Sequence, residues 1–535
     1  MAAVSRAAWD TSTAARACWN ISTSSISASA TASRRQGDAV TQALLGIDIG
    51  TSGCKALLID GEGAVLVSRT ETYGLARPRP GWTEQDPALW IEGARAAVAS
   101  VLSGRPDVAI AAVGLSGQMH GLTPLDAGHK VLRPAILWND QRNGAECAAI
   151  TERAGGVESL LAQTNNRMLV GYTGGKIVWM RNHEPELFAR LRHVVNPKDY
   201  LRLALTGEIA TEVSDASGTG LFDIRARRWA ADLLDLLEID PGILPRCSES
   251  HVISGRVSRS AAQLFGIPEG TPVAGGGGDS VIQTLGSGVI APGELQTTTG
   301  TAGIVAAALD EPVANPDGRL QVFCNVSPAK WHCMGVSLNA GGAMEWFRGA
   351  LAGFRGGEAP SAQEIALIAA EAPPGSRGLL FLPYLNGERC PHPDPEARGG
   401  FIGLTARHNA ADMARSLMEG VVHSFRDIYA LMESAGIGRT VIKASGGGAR
   451  SALWRQMQAD LFGCDVVTTE GAAEGGAFGA ALVAGVGAGV WPDAAEAAKC
   501  CRAVTRDERS SERAAFRRAF RCHHVAAEEV GLHLP

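Results

Sequence analysis

The sequence lacks the marks of several common classes of protein. Its 11 cysteines form no CxxC pair and no spacing typical of a zinc site, and the adjacent Cys500 and Cys501 rarely suit a structural disulfide. No apolar run reaches the roughly 18–20 residues of a membrane-spanning helix. We therefore expect free thiols, a cytoplasmic location and no contact with a membrane.

Charge excludes a further class of partner. The 535 residues carry a net charge of −6 and an isoelectric point near 6.1, and no basic stretch stands out. Proteins that bind nucleic acid need a positive surface, so we expect no nucleic-acid partner. The length predicts two or more domains. The 65 glycines predict many tight turns and close approaches of the backbone.

The first 40 residues differ in composition from the rest. They are rich in Ala, Ser, Thr and Arg and poor in acids, as in a transit peptide. A disordered tail, or a translation start placed too far upstream, has the same composition, and we favour that interpretation. Residues 1–42 are accordingly treated as an extension that takes no part in the fold.

Beyond residue 43 strands and helices alternate. LLGIDIG, CKALLID and AVLVSRT are apolar runs joined by short glycine-rich turns, the pattern of β-hairpins. Asp86 and Pro87 then provide the N-cap and first residue of a helix that continues to about Ser103. VAIAAVGLSGQMHG follows as a buried strand that ends in a polar loop. This alternation predicts an α/β fold.

The middle of the chain echoes its beginning. Aligning GIDIGTSGCKAL with QTTTGTAGIVAA places Gly50 over Gly300, and both turns continue into an apolar strand. The match predicts two related α/β halves, although short glycine matches also arise by chance. Asp48 aligns with Thr298, so only the first half carries an acid at this point.

Glycine turns that present backbone N–H groups can bind an anion, and phosphate above all. GTSG adds the hydroxyls of Thr51 and Ser52, GTAG adds Thr301, and SGGGAR precedes a helical pattern. The last lacks the Lys-Ser/Thr of a P-loop and the spacing of a dinucleotide fingerprint. Each turn is also compatible with an ordinary tight hairpin. EGAAEGGAFGAALVAG, residues 470–485, predicts close helix packing instead.

VAGGGGDS places Asp279 directly after a strand and four glycines. The backbone there can approach a ligand closely, and the carboxylate is positioned to take a proton from a hydroxyl group as a general base. The alternative is that Asp279 caps a helix beginning at Ser280.

Two polar loops offer the mixture of donors, acceptors and an aromatic face that binds polyols and sugars. LSGQMHG contributes Met119 and His120, and ILWNDQR contributes Trp138 and Asn139. Any one of these side chains, taken singly, is more often structural than functional.

Taken together, these segments resemble the FGGY carbohydrate kinases from about residue 44 to about residue 490. The resemblance rests on ten stretches in one order: GIDIGTSG, GWTEQDPALW, GQMHG, RPAILWNDQR, NPKDYLRLALTGE, SDASGT, AGGGGD, GTAG, LPYLNGERCPH and GGGARSALWRQMQAD. It implies two actin-like (ribonuclease H-like) α/β domains flanking a deep cleft. Residues 43–290 would bind the sugar and carry the catalytic acid, and residues 291–535 would bind the nucleotide.

The resemblance also implies roles for individual residues. Asp279 would be the base on the sugar hydroxyl, and Asp48 would lie near Mg²⁺ and the phosphates, with water between its carboxylate and the metal. The resemblance implies D-xylulose or a related sugar as acceptor, ATP and Mg²⁺ as cofactors, and a possible homodimer. The implied sugar contacts are Met119, His120, Trp138 and Asn139. The implied ATP contacts are Thr51, Ser52, Gly300, Thr301, Gly446, Gly447, Gly448 and Ala449. Asp140 and Asp215 are implied as cleft residues with weaker roles.

Three departures from the family pattern concern single residues. Ser280 stands where members acting on xylulose usually have Asn, Cys390 where they have Thr, and Ala302 where they have Ser. The first leaves open a kinase of another sugar or polyol, such as ribulose, gluconate or glycerol. A more distant alternative is an actin-like ATP-driven binding protein, since fold does not fix function.

Overall fold

The computed structural model describes residues 41–315, 317–353 and 356–529. The composition-based prediction for residues 1–40 falls outside these ranges. Thr41 and Gln42 are the first two residues of a strand, so the fold begins earlier than the predicted start at residue 43.

The first half of the described chain alternates short strands with helices, as predicted. Its strands are β1 (Thr41–Ile49), β2 (Gly53–Asp60), β3 (Val65–Thr72), β4 (Glu84–Gln85), β5 (Val108–Gly117), β6 (Thr123–Leu125), β7 (Ala135–Ile136), β8 (His193–Val195), β9 (Ala210–Glu212), β10 (Phe222–Asp223), β11 (Arg228–Trp229), β12 (Arg246–Ser248), β13 (Ile253–Arg256), β14 (Pro272–Ala274) and β15 (Gly277–Gly278). Its helices are α1 (Pro87–Gly104), α2 (Gly144–Arg153), α3 (Val157–Thr164), α4 (Thr173–His183), α5 (Pro185–Phe188), α6 (Pro197–Thr206), α7 (Val213–Ser217), α8 (Ala231–Leu237), α9 (Arg259–Phe265) and α10 (Asp279–Gly286).

The main sheet of this half has the order β13–β14–β5–β1–β2–β3, and β15 also pairs with β5. β1 runs antiparallel to β2 and parallel to β5. The predicted cap of α1 is confirmed, because the Asp86 side chain accepts a hydrogen bond from the N–H of Ala88 and Pro87 is the first helical residue.

The second half repeats this arrangement. Its strands are β16 (Glu294–Thr299), β17 (Gly303–Leu309), β18 (Gln321–Cys324), β19 (Trp331–Ser337), β20 (Leu380–Leu382), β21 (Gly400–Ile402), β22 (Val441–Ser445), β23 (Asp465–Thr469) and β24 (Ala503–Asp507). Its helices are α11 (Gly341–Ala352), α12 (Ala362–Ala369), α13 (Ala410–Ser434), α14 (Ala452–Phe462), α15 (Gly476–Gly487), α16 (Ala494–Ala498) and α17 (Arg513–Glu529).

The second sheet has the order β18–β19–β17–β16–β22–β23–β24. β16 is antiparallel to β17 and parallel to β22, just as β1 is to β2 and β5. The duplicated α/β architecture is therefore confirmed. Near the end of the described chain, β24 separates α16 from α17. Val504 and Thr505 are β-branched and favour a strand there.

Helix α15 packs its backbone directly on the first sheet. A Cβ atom at Gly46 would lie 1.9 Å from the carbonyl oxygen of Ala477, and one at Gly114 would lie 1.8 Å from that of Ala480. Only glycine permits such contact, so the predicted close packing of the 470–485 stretch is confirmed. Of the helices in the described ranges, none combines the length and the apolar character that crossing a bilayer requires.

Candidate functional site

Three strands of the first sheet bring two acids to one edge. Asp48 on β1 and Gly277 on β15 both pair in register with Ser116, on opposite sides of β5. Two residues after Gly277 the chain reaches Asp279, where α10 begins. Parallel strands end at a common edge of their sheet, and this edge therefore gathers Asp48, Asp279 and the loop that leaves β5.

Asp48 lies half-buried between a hydroxyl group and a helix. Its Oδ1 accepts a hydrogen bond of 2.6 Å from Ser116 Oγ. Burial raises the pKa of Asp48, while the Ser116 bond and the charge of Lys55 act in the opposite direction. Gly476, the first residue of α15, is so near that a Cβ there would stand 2.9 Å from Asp48 Oδ1. The positive end of that helix dipole thus faces the carboxylate.

A salt bridge links the first hairpin to the segment before α15. Lys55 Nζ lies 3.2 Å from Glu474 Oε2 and 3.3 Å from the carbonyl oxygen of Ala473. Ser68 Oγ donates a second bond, of 2.7 Å, to the same oxygen of Glu474. The bridge fixes the GTSG hairpin against the residues that lead into α15.

Asp279 has the electrostatic surroundings of a general base. Burial, followed by the charge of Asp48, raises its pKa to about 7, against the lowering effect of the Ser280 N–H. That N–H donates to Oδ1 at 2.7 Å. An N-cap side chain accepts from the second or third helical residue, whereas α10 begins at Asp279 itself, after Gly278. The carboxylate therefore does not act as the predicted N-cap alternative.

The loop after β5 packs against the Asp279 segment. Met119 is buried, and its sulfur accepts a hydrogen bond of 3.1 Å from Ser280 Oγ. A Cβ at Gly278 would lie 2.6 Å from that sulfur, so glycine is needed where the two segments meet. Met119 and Asp279, predicted separately, lie in one cluster.

His120 is held in a single tautomer. Its Nδ1 lies 2.5 Å from the carbonyl oxygen of Gly218, which can only accept, so Nδ1 carries the proton. Burial lowers the pKa of His120 to about 3, with smaller effects from the charges of Lys176 and Arg389. The ring stacks on Tyr172 at 4.6 Å between centroids. Nε2 of this neutral ring is therefore a hydrogen-bond acceptor.

The second polar loop meets the GTSG turn through Thr51. Trp138 Nε1 donates to Thr51 Oγ1 at 2.9 Å, and that hydroxyl donates to Gln118 Oε1 at 3.1 Å. Asn139 Oδ1 is buried, with no hydrogen-bond partner among the described residues. The hydroxyl of Thr51 thus joins three predicted segments, and its polar contacts are already made within the protein.

At the corresponding edge of the second sheet two glycine turns lie in contact. A Cβ at Gly446 would lie 2.7 Å from the carbonyl oxygen of Thr299, and one at Gly448 would lie 2.4 Å from Thr299 Cγ2. Gly300 and Thr301 follow Thr299 directly, and Gly447 to Arg450 form a short 3-10 turn before α14. Gly300, Thr301, Gly446, Gly447, Gly448 and Ala449 therefore lie together, and Ser52 and Thr301 are exposed at their turns.

The expectation that Asp140 and Asp215 line the cleft is wrong, because both side chains are fully buried. Asp140 accepts hydrogen bonds from the N–H of Thr83 and from Arg142 Nη2, the latter at 2.7 Å. Asp215 accepts one of 2.6 Å from Asn196 Nδ2. Both acids are therefore bonded within the protein interior.

Three residues of the site were missed in the sequence. Ser116 stands in the quoted LSGQMHG, and a hydroxyl at the end of a buried strand was a usable signal. Gly476 and Tyr172 reach the site from distant segments, and no local pattern marks them.

Comparison with known proteins gives a consistent result. The profile of the FGGY family of carbohydrate kinases, N-terminal domain, matches residues 43–286, and that of the C-terminal domain matches residues 295–488. The xylulose kinase of Escherichia coli is 38% identical over 421 residues, covering 78% of this chain and 84% of the relative. The gluconokinase of Bacillus subtilis is 32% identical over 441 residues, covering 81% and 85%.

Solved structures agree with the sequence comparison. The xylulose kinase of Rhodospirillum rubrum has a TM-score of 0.82 at 30% identity, over 91% of this chain and 99% of the other. Ligand-bound xylulose kinase of Lactobacillus acidophilus has a TM-score of 0.85 at 27% identity, over 91% and 98%. The two-domain arrangement predicted for the chain is confirmed by these matches.

Proposed function

The chain belongs to the FGGY family of carbohydrate kinases, and we propose that it transfers the γ-phosphoryl group of ATP to D-xylulose, giving D-xylulose 5-phosphate. The observation that carries the proposal is the half-buried carboxylate of Asp279, whose pKa of about 7 suits a base at neutral pH. It lies beside the Met119–His120 loop, and the relatives matched over most of the chain include xylulose kinases.

In this proposal Asp279 holds the hydroxyl group of the sugar that is to be phosphorylated. Asp279 accepts its proton as the sugar oxygen bonds to the γ-phosphorus and the bond from that phosphorus to the bridging oxygen breaks, so that ADP leaves. Phosphoryl transfer itself requires positioning and neutralisation of charge. The neutral Nε2 of His120 accepts a hydrogen bond from another sugar hydroxyl. Met119, Trp138 and Asn139 complete the sugar site, and the unpartnered Oδ1 of Asn139 is a suitable acceptor for it.

ATP binds in this proposal at the glycine turns of the two sheets. The hydroxyl of Ser52 and the backbone of the GTSG turn, including Thr51, serve one side of the phosphates. Gly300 and Thr301 serve the other side, and residues 446–449 hold the nucleotide. We further propose that residues 43–290 and 291–535 form the two domains on either side of the cleft. The cleft closes on the sugar to exclude water.

The residues present fit Mg²⁺ bound with the phosphates. Mg²⁺ keeps several waters and needs only one or two carboxylates besides phosphate oxygens. Asp48 offers one carboxylate beside the GTSG turn, and the described ranges hold no group of three or more potential metal ligands. When bound, Mg²⁺ would neutralise the phosphates, and Asp48 would hold it, most simply through a water molecule.

A panel of acceptors tests the substrate. D-xylulose, ribulose, gluconate and glycerol are compared in a coupled ADP-release assay, and we expect kcat/KM to be highest for D-xylulose by about tenfold or more. A higher value for gluconate would assign the chain to that alternative. ATPase activity independent of any sugar, together with polymerisation, would favour the actin-like binding protein instead.

The Asp279→Asn variant tests the base. Asn keeps the oxygen that accepts a hydrogen bond from the Ser280 N–H, but it cannot take a proton. The rate of sugar phosphorylation should therefore fall by about 10³-fold, while ATP still binds. Turnover at the wild-type rate would contradict the assignment.

A cytoplasmic location and a homodimer are also proposed. Free thiols at all ten cysteines of the described ranges support the first, and light scattering would test the second.

A further inference from the structure

A group of charged side chains lies buried beneath the Asp279 loop. Lys198, Asp199, Arg202, Glu212 and Asp215 all have side chains with 0% exposure. Lys198 Nζ lies 2.5 Å from Asp199 Oδ1, 3.5 Å from Asp215 Oδ2 and 3.7 Å from Glu212 Oε1. Burying so many charges is costly unless they are compensated. Here Lys198 and Arg202 face three carboxyl groups, and burial raises the pKa of one of them, Asp215, to about 8, so that this acid is protonated at neutral pH.

This buried group is bonded to the glycine loop at both ends. Arg202 donates from Nη1 to the carbonyl oxygen of Ala274 at 3.1 Å and from Nη2 to that of Gly275 at 2.5 Å. At the far end the N–H of Gly278 donates to Ser214 Oγ at 3.0 Å. Gly278 is the residue directly before Asp279.

The orientation of the Ser214 hydroxyl is set by Glu212. Ser214 Oγ donates to Glu212 Oε1 at 2.9 Å, which leaves a lone pair for the N–H of Gly278. The other oxygen of Glu212 accepts from Ser250 Oγ at 2.6 Å and from the N–H of Ser214 at 2.8 Å. Both carboxylate oxygens of Glu212 are thereby fixed, with Lys198 as the counter-charge.

The loop needs this external support because it has no side chains of its own. Residues 275–278 are all glycine, and Gly276 has a φ of +77°. Such a backbone has many accessible conformations. We propose that Ser214, oriented by Glu212, is a positioning residue that places Asp279 against the sugar hydroxyl. The inference rests on the proposed role of Asp279 as the base.

The test compares two serines of one helix. Ser214→Ala removes the bond to Gly278, whereas Ser217→Ala removes a buried hydroxyl that bonds the carbonyl oxygen of Val213 at 2.6 Å and the N–H of Cys324 at 3.1 Å. Ser214→Ala should lower kcat for D-xylulose phosphorylation by about tenfold, because small displacements of a reacting group are costly. The KM for ATP should stay within about twofold. Ser217→Ala should keep kcat within about twofold of the wild-type value, while it lowers the melting temperature about as much as Ser214→Ala does.

Two further variants separate positioning from general destabilisation. Ser214→Thr keeps the hydroxyl and should recover most of kcat. Ser250→Ala loosens Glu212 but leaves Ser214 in place, so it should lower kcat by about threefold, and it serves if Ser214→Ala does not fold. Equal losses of kcat in Ser214→Ala and Ser217→Ala would overturn this inference. So would an unchanged kcat in both Ser214→Ala and Ser250→Ala when Asp279→Asn is inactive. Either result would leave the proposed role of Asp279 intact. An active Asp279→Asn would overturn both proposals.

Discussion

Ser116 Oγ donates a hydrogen bond of 2.6 Å to Asp48 Oδ1 across β5 and β1. The same place in the second sheet holds Thr298 and Ser445, whose hydroxyl oxygens lie 2.7 Å apart across β16 and β22. The fold therefore uses one pair of neighbouring strand residues twice, with a carboxylate in the first copy only. A single negative charge is consistent with one metal-bound nucleotide between the two halves.

Gly476 makes this pair sensitive to a single methyl group. A Cβ there would stand 2.4 Å from Ser116 Oγ and 2.9 Å from Asp48 Oδ1, so Gly476→Ala must displace one of them. We expect kcat to fall by about tenfold or more, measured by the coupled assay at saturating sugar. Gly349→Ala is the matched control, because Gly349 lies in α11 with open space around its Cβ position.

Gly349→Ala should leave turnover unchanged and raise helix stability by about 0.5–1 kcal/mol. Equal activity of both variants would mean that the contact between α15 and Asp48 has no influence on the reaction.

Asp279→Asn should be more stable than the wild type at pH 8. The folded protein raises the pKa of Asp279 from 3.8 to about 7, so folding favours the protonated form. The stabilisation linked to that proton is fully present below the unfolded-state pKa of 3.8 and is lost as the pH rises from there to about 7. Asn resembles the protonated acid at every pH, so its advantage should be about 1–2 kcal/mol at pH 8 after allowance for partial exposure.

Urea unfolding of both proteins at pH 5 and pH 8 measures this difference. The advantage of Asp279→Asn should shrink at pH 5, where wild-type Asp279 is largely protonated in the folded state. An advantage that does not depend on pH would show that Asp279 is not held at a raised pKa.

The features that could be predicted from the sequence are those fixed by neighbours along the chain. The hairpin around Gly50, the cap at Asp86 and the exit of Asp279 from a glycine run all follow from local patterns. Ser116 and Gly476 became site residues only through strand register and helix packing, which no local pattern contains. Thr51 shows the opposite case, because its hydroxyl, predicted for ATP, already bonds Trp138 and Gln118.

His120→Asn should raise the KM for D-xylulose by about tenfold and leave the KM for ATP within about twofold, since Asn is too short to offer an acceptor where Nε2 stands. His120 has a φ of +69°, which Asn tolerates better than other residues. His129→Asn is the matched control, because His129 has a φ of +62° in an exposed turn. Initial rates over a range of both substrates measure these constants. A parallel rise in both KM values, or the same change in His129→Asn, would remove His120 from the sugar site.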